Sequence, residues 1–275
     1  MSLRLSVLSS GSSGNATYME TGETGLLVDA GLSCRRIAAL LARIGRRLGD
    51  VDAVLLTHGH SDHASGVRSL VRERGMPIYA ASGVGERLGA IEIKAGEPLR
   101  IGGLATEFFE VPHDSRTYGV RVSDGERTAI VATDLGDVSA ATLRLMRGAE
   151  AVVLEANHDI EWLRRGPYPA DLKRRVASAS GHLSNRQTAE VACDLAPHGL
   201  KDLVLAHLSK TNNSPARATG TVTSALREAG HGRIRVRAAL ASHPTPWVEI
   251  GEPLESPEYA YRYGEGEVQK LFETE

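Results

Sequence analysis

The sequence predicts an α/β (α+β) protein in which two β-sheets pack face to face and carry helices on their outer faces. Short apolar runs typical of strands alternate with stretches of helical periodicity. A meander of strands followed by helices occurs twice along the chain, which is typical of a layered sandwich. The 275 residues, 41% of them hydrophobic, are also enough to bury a large core.

In the first half of the chain, apolar runs bounded by turn residues predict strands at residues 3–8, 16–19, 26–29, 53–57 and 77–80. Ser33 is placed to cap a helix, and the apolar side chains that follow it at helical spacing are Ile37, Leu40, Leu41 and Ile44. A second helix is expected after His63, ending near Gly75.

The second half begins with predicted strands at residues 104–111, 119–122 and 129–133. A helix at 140–146, a strand at 151–154 and a helix that Ser184 opens come next. The regular pattern is completed by a strand at 203–206, a helix at 216–229 and a strand at 234–238.

Composition narrows the class of protein. The net charge of −2 excludes a uniformly basic coat for nucleic acid, although a local basic face is compatible with it. Cys34 and Cys193 are too few for a disulfide framework, and both fall in predicted helices, where we expect inert thiols. No apolar run reaches membrane-spanning length and the first residues do not resemble a signal peptide, so we expect a cytoplasmic protein with no membrane partner.

The C-terminal residues differ in composition from the rest. Residues 249–275 contain eight acidic residues against Arg262 and Lys270. We therefore expect a main domain at residues 1–243 and an acidic, aromatic-containing extension at 244–275 that packs on it. A tail that binds a partner is the alternative.

Residues 57–63, with the sequence THGHSDH, are the segment that indicates chemistry. Side chains alternate in an extended stretch, so His58 and His60 point the same way and can share one metal ion. The chain then turns, and Asp62 and His63 can hold a second ion. Imidazole and carboxylate ligands suit zinc, manganese or iron better than calcium. A loop without metal is the alternative, and three histidines and an aspartate within six positions argue against it.

Two ions need more ligands, and further candidates follow apolar strands. His113, Asp134 and His207 are each the first strong ligand beyond a predicted strand end. Any one of them alone could be a surface or capping residue. Their shared position relative to strands places them at one rim of the sandwich, where loops gather.

These residues resemble the metallo-β-lactamase fold hydrolases over residues 3–238. The resemblance implies a four-layer αββα sandwich and a centre of two divalent metal ions, zinc or manganese, with iron as a further candidate. In that family one ion is held by the residues that match His58, His60 and His113. The other is held by those that match Asp62, His63 and His207. Asp134 would bridge the two ions, and Asp29 would orient ligands; a turn aspartate at the end of a strand is the alternative for Asp29.

The position of Asp134 narrows the branch of the family. The metallo-β-lactamases themselves carry cysteine there, so a carboxylate argues against a lactamase. A carboxylate bridge holds two ions roughly 3.5–4 Å apart, as in-line displacement at phosphorus requires. It does not exclude a thioesterase of the glyoxalase II type.

Residues 154–159 (LEANHD) and 180–185 (SGHLSN) resemble the ribonuclease Z branch. There, a histidine contacts the scissile phosphate and helps the leaving oxygen to depart, and a glutamate accompanies it. The resemblance therefore implies that His182 is the general acid and that Glu155 orients it, with Asp134 as the third catalytic residue. The alternative is that His182 merely precedes Ser184, a helix N-cap.

Seven segments in order, from residues 9–15 to 207–213, resemble the WalJ/YycJ-like bacterial metallo-hydrolases. That group implies a 5′-to-3′ exonuclease acting on DNA ends and linked to DNA repair, in which a hydroxide bridging the metals attacks phosphorus. Only 73 residues separate Asp134 from His207, too few for the β-CASP insertion of ribonuclease J. The alternative is a small-molecule hydrolase such as a glyoxalase II-like thioesterase or a lactonase. A homodimer is left open.

Substrate contacts are predicted from two kinds of segment. The serine- and glycine-rich loop at residues 9–15 offers backbone and side-chain donors to a phosphate, although a plain turn fits equally well. The matching segments supply the candidate substrate-binding residues Ser12, Ser13, Asn15, Asn157 and Asn212. A path for nucleic acid, or equally a solvated helix face, is indicated by Trp162, Arg164, Arg165, Tyr168, Lys173, Arg174 and Arg175.

Overall fold

A computed structural model of the protein describes residues 3–22 and 24–250. Its strands are β1 (Arg4–Ser9), β2 (Ala16–Thr21), β3 (Thr24–Val28), β4 (Ala53–Leu56), β5 (Ile78–Ala81), β6 (Ile91–Ile93), β7 (Leu99–Ile101), β8 (Leu104–Val111), β9 (Thr117–Ser123), β10 (Thr128–Ala132), β11 (Ala151–Glu155), β12 (Asp202–Ala206), β13 (Arg235–Ala238) and β14 (Val248–Glu249). Its α-helices are α1 (Cys34–Arg43), α2 (Ser61–Ala64), α3 (Val67–Arg74), α4 (Ala140–Met146), α5 (Ile160–Arg165), α6 (Ala170–Val176), α7 (Asn185–Leu195) and α8 (Pro215–Glu228).

The strands form two seven-stranded sheets. The first sheet has the order β14-β1-β2-β3-β4-β5-β6, and the second has the order β13-β12-β11-β10-β9-β8-β7. Each sheet is mixed: β3 to β6 pair in parallel in the first sheet, as β10 to β13 do in the second, while the remaining neighbours are antiparallel. Each half of the chain therefore supplies most of one sheet.

Three apolar layers hold the sheets and helices together. The layer between the sheets contains Leu55 of the first sheet and Phe108 of the second, both fully buried. On the outer face of the first sheet, Ile37 of α1 packs in a second layer. On the outer face of the second sheet, Val222 of α8 packs in a third, together with residues of α4 and α7. The predicted four-layer αββα sandwich is thus confirmed.

The direction of the strands brings the candidate ligands to one edge. β3 and β4 are parallel, so their carboxyl ends lie side by side. In the second sheet β10, β11 and β12 are parallel, and β8 runs the same way because both β8 and β10 are antiparallel to β9. The candidates that follow these carboxyl ends are Asp29, His58, His113, Asp134, Glu155 and His207.

The helix expected after His63 differs from the prediction. The structure has two helices there instead of one: α2 begins earlier than predicted, at Ser61, and α3 follows after a break at Gly66. The amide of Gly66 donates to the carbonyl of Ala30, and a Cβ on Gly66 would lie 2.0 Å from the carbonyl oxygen of Leu32. The interruption lets the loop after β3 pack directly against the ligand segment. This contact between distant segments is invisible to helical periodicity.

Five short strands and α-helices of the described chain were not expected from the sequence: β6, β7, β14, α5 and α6. Helix α5 begins at the cap Asp159, whose side chain accepts from the amide of Trp162, and α6 begins after Pro169. Each helix is at most two turns long and buries a single residue, Leu163 or Val176, so neither has the periodic apolar stripe that identifies the longer helices.

The chain that follows β13 returns to the first sheet. Val248 and Ile250 are buried, and β14 pairs with β1. Trp247 packs edge-to-face on Tyr18, and the guanidinium of Arg4 lies 4.1 Å from its ring centroid. The predicted extension at 244–275 is described only as far as residue 250; the rest of it lies outside the described residues, and its packing stays a prediction. Within the described ranges, no helix is long and apolar enough to cross a membrane.

We expect Leu55→Ala to lower the free energy of unfolding by about 2–5 kcal/mol, because it opens a cavity between the two sheets. The measurement is equilibrium unfolding in urea. Val71→Ala is the matched control, since Val71 is exposed and should change stability by less than about 0.5 kcal/mol. Equal losses in the two variants would contradict the assignment of Leu55 to the core.

Candidate metal centre

Three predicted site residues adopt a backbone conformation that side chains rarely tolerate. In the described part of the chain, the non-glycine residues with positive φ are Asp29 (63°), Asp134 (59°) and His207 (53°). Asp29 and His207 directly follow the last residue of β3 and of β12, and Asp134 lies two residues beyond the end of β10. Left-handed backbone at a non-glycine residue costs of order 1–3 kcal/mol and clusters at functional sites. The turn aims each side chain across the edge of the sheets.

Six of the seven predicted ligands form two adjacent groups, and the seventh, Asp134, lies between them. His58, His60 and His113 each offer a nitrogen to one group, here the first trio, whose atoms lie within 4.8 Å of one another. Asp62, His63 and His207 form the second trio by the same measure. The two trios are contributed by both sheets, since His113 and His207 follow strands of the second sheet and the other four follow β4 of the first.

Asp134 lies between the trios, with only 3% of its surface exposed. Its Oδ2 lies 2.9 Å from His63 Nε2 and 3.2 Å from His207 Nδ1. Its Oδ1 lies 3.9 Å from His113 Nε2 and 3.8 Å from His182 Nδ1. Each carboxylate oxygen thus faces a different pair of imidazoles.

A buried network fixes the orientation of His58 and His63. The Asp29 carboxylate accepts from the Thr57 amide at 2.9 Å and lies 2.7 Å from His63 Nδ1. The Thr57 hydroxyl donates to the same carboxylate and lies 3.0 Å from His58 Nδ1. Both rings therefore use Nδ1 away from the cluster, which leaves Nε2 directed into it. The Asp29 side chain itself contacts these partners and not the centre.

His113 is oriented in the same way from the second sheet. Its Nδ1 lies 3.1 Å from the carbonyl oxygen of Gly181, so an N–H there donates to the backbone and Nε2 faces the first trio. Metal-bound histidines commonly donate their other ring N–H to a carboxylate or a carbonyl in this manner. His63 and His113 have this arrangement, and His58 differs in that the Thr57 hydroxyl links its Nδ1 to the Asp29 carboxylate.

The donor set fits divalent metal ions. Among the buried side-chain atoms of the described chain that make no hydrogen bond are His58 Nε2, Asp134 Oδ2 and His207 Nδ1. Asp134 Oδ2 is close enough to two ring nitrogens for hydrogen bonds but lacks the required angles to either. Buried polar atoms are rarely left without a partner, and three in one cluster fit a site that binds a cation. Imidazoles with carboxylates favour a transition metal or zinc over calcium.

The electrostatics of the cluster favour ion binding. Burial, together with the charge of His63, lowers the pKa of His58 to about 2, so this ring is neutral and ready to coordinate. Burial alone would raise the pKa of the Asp134 carboxyl, but the charges of His207 and His63 outweigh it and hold the pKa well below its usual range. Asp134 is therefore an anion, as a bridging ligand must be.

His182 and Glu155 form a pair beside the cluster. His182 Nδ1 lies 2.8 Å from Glu155 Oε1, and the other carboxylate oxygen accepts from the amides of Leu135 and Leu183. Glu155 is fully buried, whereas the His182 side chain is 20% exposed. Burial opposes protonation of His182, but the charge and hydrogen bond of Glu155 prevail and raise its pKa to about 9. The pair therefore presents a protonated Nε2 at the mouth of the site.

The predicted substrate loop lies next to the second trio. Ser12 and Ser13 are exposed at the tip of the turn. Asn15 is buried, and its side-chain nitrogen Nδ2 lies 2.9 Å from His63 Nε2 and 3.5 Å from Asp62 Oδ2. Ser10, which the sequence did not single out, accepts from the His207 amide at 2.7 Å. The loop thus supports ligands of the second trio.

Asn157 and Asn212, the other candidate substrate contacts, lie in the interior. The side-chain amide of Asn157 donates to the backbone carbonyl of His207 at 2.9 Å, which helps to hold the strained turn at His207. Asn212 is fully buried, and its side-chain amide makes no hydrogen bond within the described chain. Both side chains are buried, so their contact with substrate stays a prediction.

The predicted path for nucleic acid coincides with α5, α6 and the loop that joins them. Most of its cations pair locally: Arg164 and Arg165 with Glu161, and Arg174 with Asp171. Trp162 is partly exposed, and the guanidinium of Arg217 lies 4.6 Å from its ring centroid. These contacts are typical of a solvated helix face, and the path for nucleic acid stays a prediction. Arg175 differs from the other cations, because it pairs with Asp114 beside His113.

Comparisons with known proteins agree with this geometry. A family model described as a β-lactamase superfamily domain matches residues 24–208. Exodeoxyribonuclease WalJ of Streptococcus pneumoniae serotype 2 is 38% identical over 263 residues, which cover 90% of this chain and 98% of that protein. Exodeoxyribonuclease YycJ of Bacillus anthracis is 37% identical over 256 residues, which cover 89% and 96%. The solved metallo-β-lactamase fold protein YhfI of Bacillus subtilis, 18% identical, has a similar fold, with a TM-score of 0.68 over 89% of this chain and 99% of that one.

We expect Thr57→Val to weaken metal binding by about 10- to 100-fold, because the variant keeps the shape of the side chain but removes the hydroxyl between Asp29 and His58. The measurement is titration of the metal-free protein with Zn²⁺ against a chromophoric chelator. Thr106→Val is the matched control, since Thr106 is equally buried and its hydroxyl donates to the carbonyl of Leu99, away from the site. Identical affinities in both variants would contradict the orienting role of Thr57.

Proposed function

This chain belongs to the β-lactamase superfamily, and from that premise we propose that it is a metal-dependent exonuclease that hydrolyses phosphodiester bonds at DNA ends. The observation that carries the proposal is the Glu155–His182 pair beside the two trios. It places a protonated imidazole next to a candidate metal centre, as the departure of a charged sugar oxygen requires. The relatives named exodeoxyribonuclease, matched over nearly their whole length, support the choice of DNA.

We infer two divalent ions, zinc or manganese, with iron as a further candidate. The first trio would hold one ion and the second trio the other, and Asp134 would be the ligand that both ions share. When bound, such ions supply Lewis acidity toward a phosphate and make a water acidic enough to attack at neutral pH. Asp29 and Thr57 would keep His58 and His63 in the orientation that this binding needs.

The chain's own residues would handle the leaving group. Because Nδ1 of His182 donates to Glu155, Nε2 is the atom that can donate to a phosphate oxygen and then pass a proton to the departing oxygen. Glu155 is a positioning residue that fixes the ring and favours its charged form. Ser12 and Ser13 at the exposed turn remain our candidates for contacts with the rest of the substrate.

Direction and location belong to the same proposal. We propose 5′-to-3′ action, because the chain carries the segments shared with the exonuclease group it resembles. The two cysteines, Cys34 and Cys193, are unpaired, which supports a reducing compartment such as the cytoplasm.

We expect the metal-loaded protein to release nucleotides from 5′-labelled duplex DNA and to leave a thioester and a lactone untouched. The three substrates are incubated in parallel, with single-stranded RNA as a fourth, and products are separated by electrophoresis or chromatography. A chelator-treated sample is the control and should be inactive, because the ligands then hold no ion. Consumption of the thioester or lactone alone would replace the nuclease with a small-molecule hydrolase of the glyoxalase II or lactonase type.

We expect His182→Ala to lower kcat on DNA by about 10²- to 10⁴-fold, since the leaving sugar oxygen then lacks its proton donor. On bis(p-nitrophenyl) phosphate, whose leaving group departs without protonation, the loss should be much smaller. The exposed His198 provides the control His198→Ala, which should behave like the unmodified protein on both substrates. An equal loss on the two substrates would contradict a general-acid role for His182.

A further inference from the structure

Asp114 is a carboxylate at the centre to which no role has been assigned. It directly follows His113 in the loop between β8 and β9. Its Oδ1 lies 3.2 Å from His113 Nε2 and 3.7 Å from His60 Nε2. Both of these rings belong to the first trio. Nδ1 of His113 is held by the carbonyl oxygen of Gly181, so the nitrogen that Asp114 approaches is the one that faces the trio.

The second oxygen of this carboxylate is held from another element. Asp114 Oδ2 accepts from the Arg175 guanidinium of α6 at 2.7 Å, across 61 positions of sequence. The other cations of α5 and α6 that have an ion pair find it on their own helix, so Arg175 is the one that α6 directs at the centre within the described chain. With Oδ2 held by Arg175, Oδ1 stays turned toward the imidazoles.

The charges of the two trios explain what this carboxylate does. The second trio includes the anion Asp62, whereas the first trio consists of three imidazoles, which are neutral when they coordinate. Because Asp134 would be shared between the two trios, an ion in the first trio would have no carboxylate of its own, and a nearby carboxylate would stabilise it. Asp114 is 31% exposed in its side chain, so it lies at the mouth, where solvent screens it only in part.

We propose that Asp114 supplies the carboxylate for the metal ion of the first trio and that Arg175 is the positioning residue that holds it there. The proposal rests on the proposed function, because it requires an ion in the first trio. A plain surface ion pair between Asp114 and Arg175 would also give the 2.7 Å contact, but it would contribute nothing to metal binding. Metal affinity therefore separates the two explanations.

The experiment is titration of the metal-free protein with Zn²⁺ against a chromophoric chelator, together with the visible absorption of the Co²⁺-loaded protein. We expect the unmodified protein to bind two ions. Asp114→Asn should weaken one of them by about 10- to 100-fold and leave the other unchanged. Arg175→Gln should weaken the same ion by a smaller factor, and both variants should alter the same Co²⁺ absorption band. Glu110→Gln, which removes an exposed carboxylate from β8, is the control and should change neither.

The outcomes distinguish this inference from the proposed function. Failure of the unmodified protein to bind two ions would overturn the proposed function. Two ions bound with unchanged affinity by Asp114→Asn would overturn the role of Asp114 alone. If Asp114→Asn does not fold, Arg175→Gln decides, because Arg175 is largely exposed and its loss leaves the carboxylate in place. Unchanged Zn²⁺ affinities and an unchanged Co²⁺ spectrum in Arg175→Gln would then overturn the inference.

Discussion

The structure of the centre depends on one buried carboxylate among imidazoles. Asp134 is almost completely buried and faces His63 and His207 with one oxygen, and His113 and His182 with the other. A buried anion is costly unless cations or protons surround it. The same carboxylate therefore requires positive charge around it, which divalent metal binding by the surrounding histidines and aspartates would supply. His182, one of the surrounding histidines, is held in its charged form by Glu155.

This arrangement requires strained backbone at three residues, and the packing of the sandwich holds that backbone in place. Asp29, Asp134 and His207 occupy left-handed turns at strand ends. Such turns persist only where the surroundings determine them, and here the three apolar layers and the parallel strand pairs do so. Ser10 and Asn157 add hydrogen bonds to the backbone of His207, which explains why residues without a role in chemistry belong to the site. The packed core thus fixes the positions of the ligand side chains.

Much of the fold could be predicted from the sequence, because strand runs and helical stripes are local patterns. The strands from β1 to β5 and from β8 to β13 agree with the predicted runs within a few residues. The polar helices α5 and α6 and the short edge strands β6 and β7 were missed, since they bury too little apolar surface to leave a periodic signal. The interruption at Gly66 was missed because its cause is a contact with the loop after β3.

The sequence by itself determined which atoms are available to the centre. Ligand types, their order and their place after apolar strands are local facts, and they suffice to predict the six ligands of the two trios and Asp134 between them. Only the tertiary structure decided which neighbours support them. The burial of Asn157 and Asn212 and the meeting of Asp114 with Arg175 depend on how separate loops pack. No local pattern carries that information, because the free energy of such a contact arises between segments that are distant in the chain.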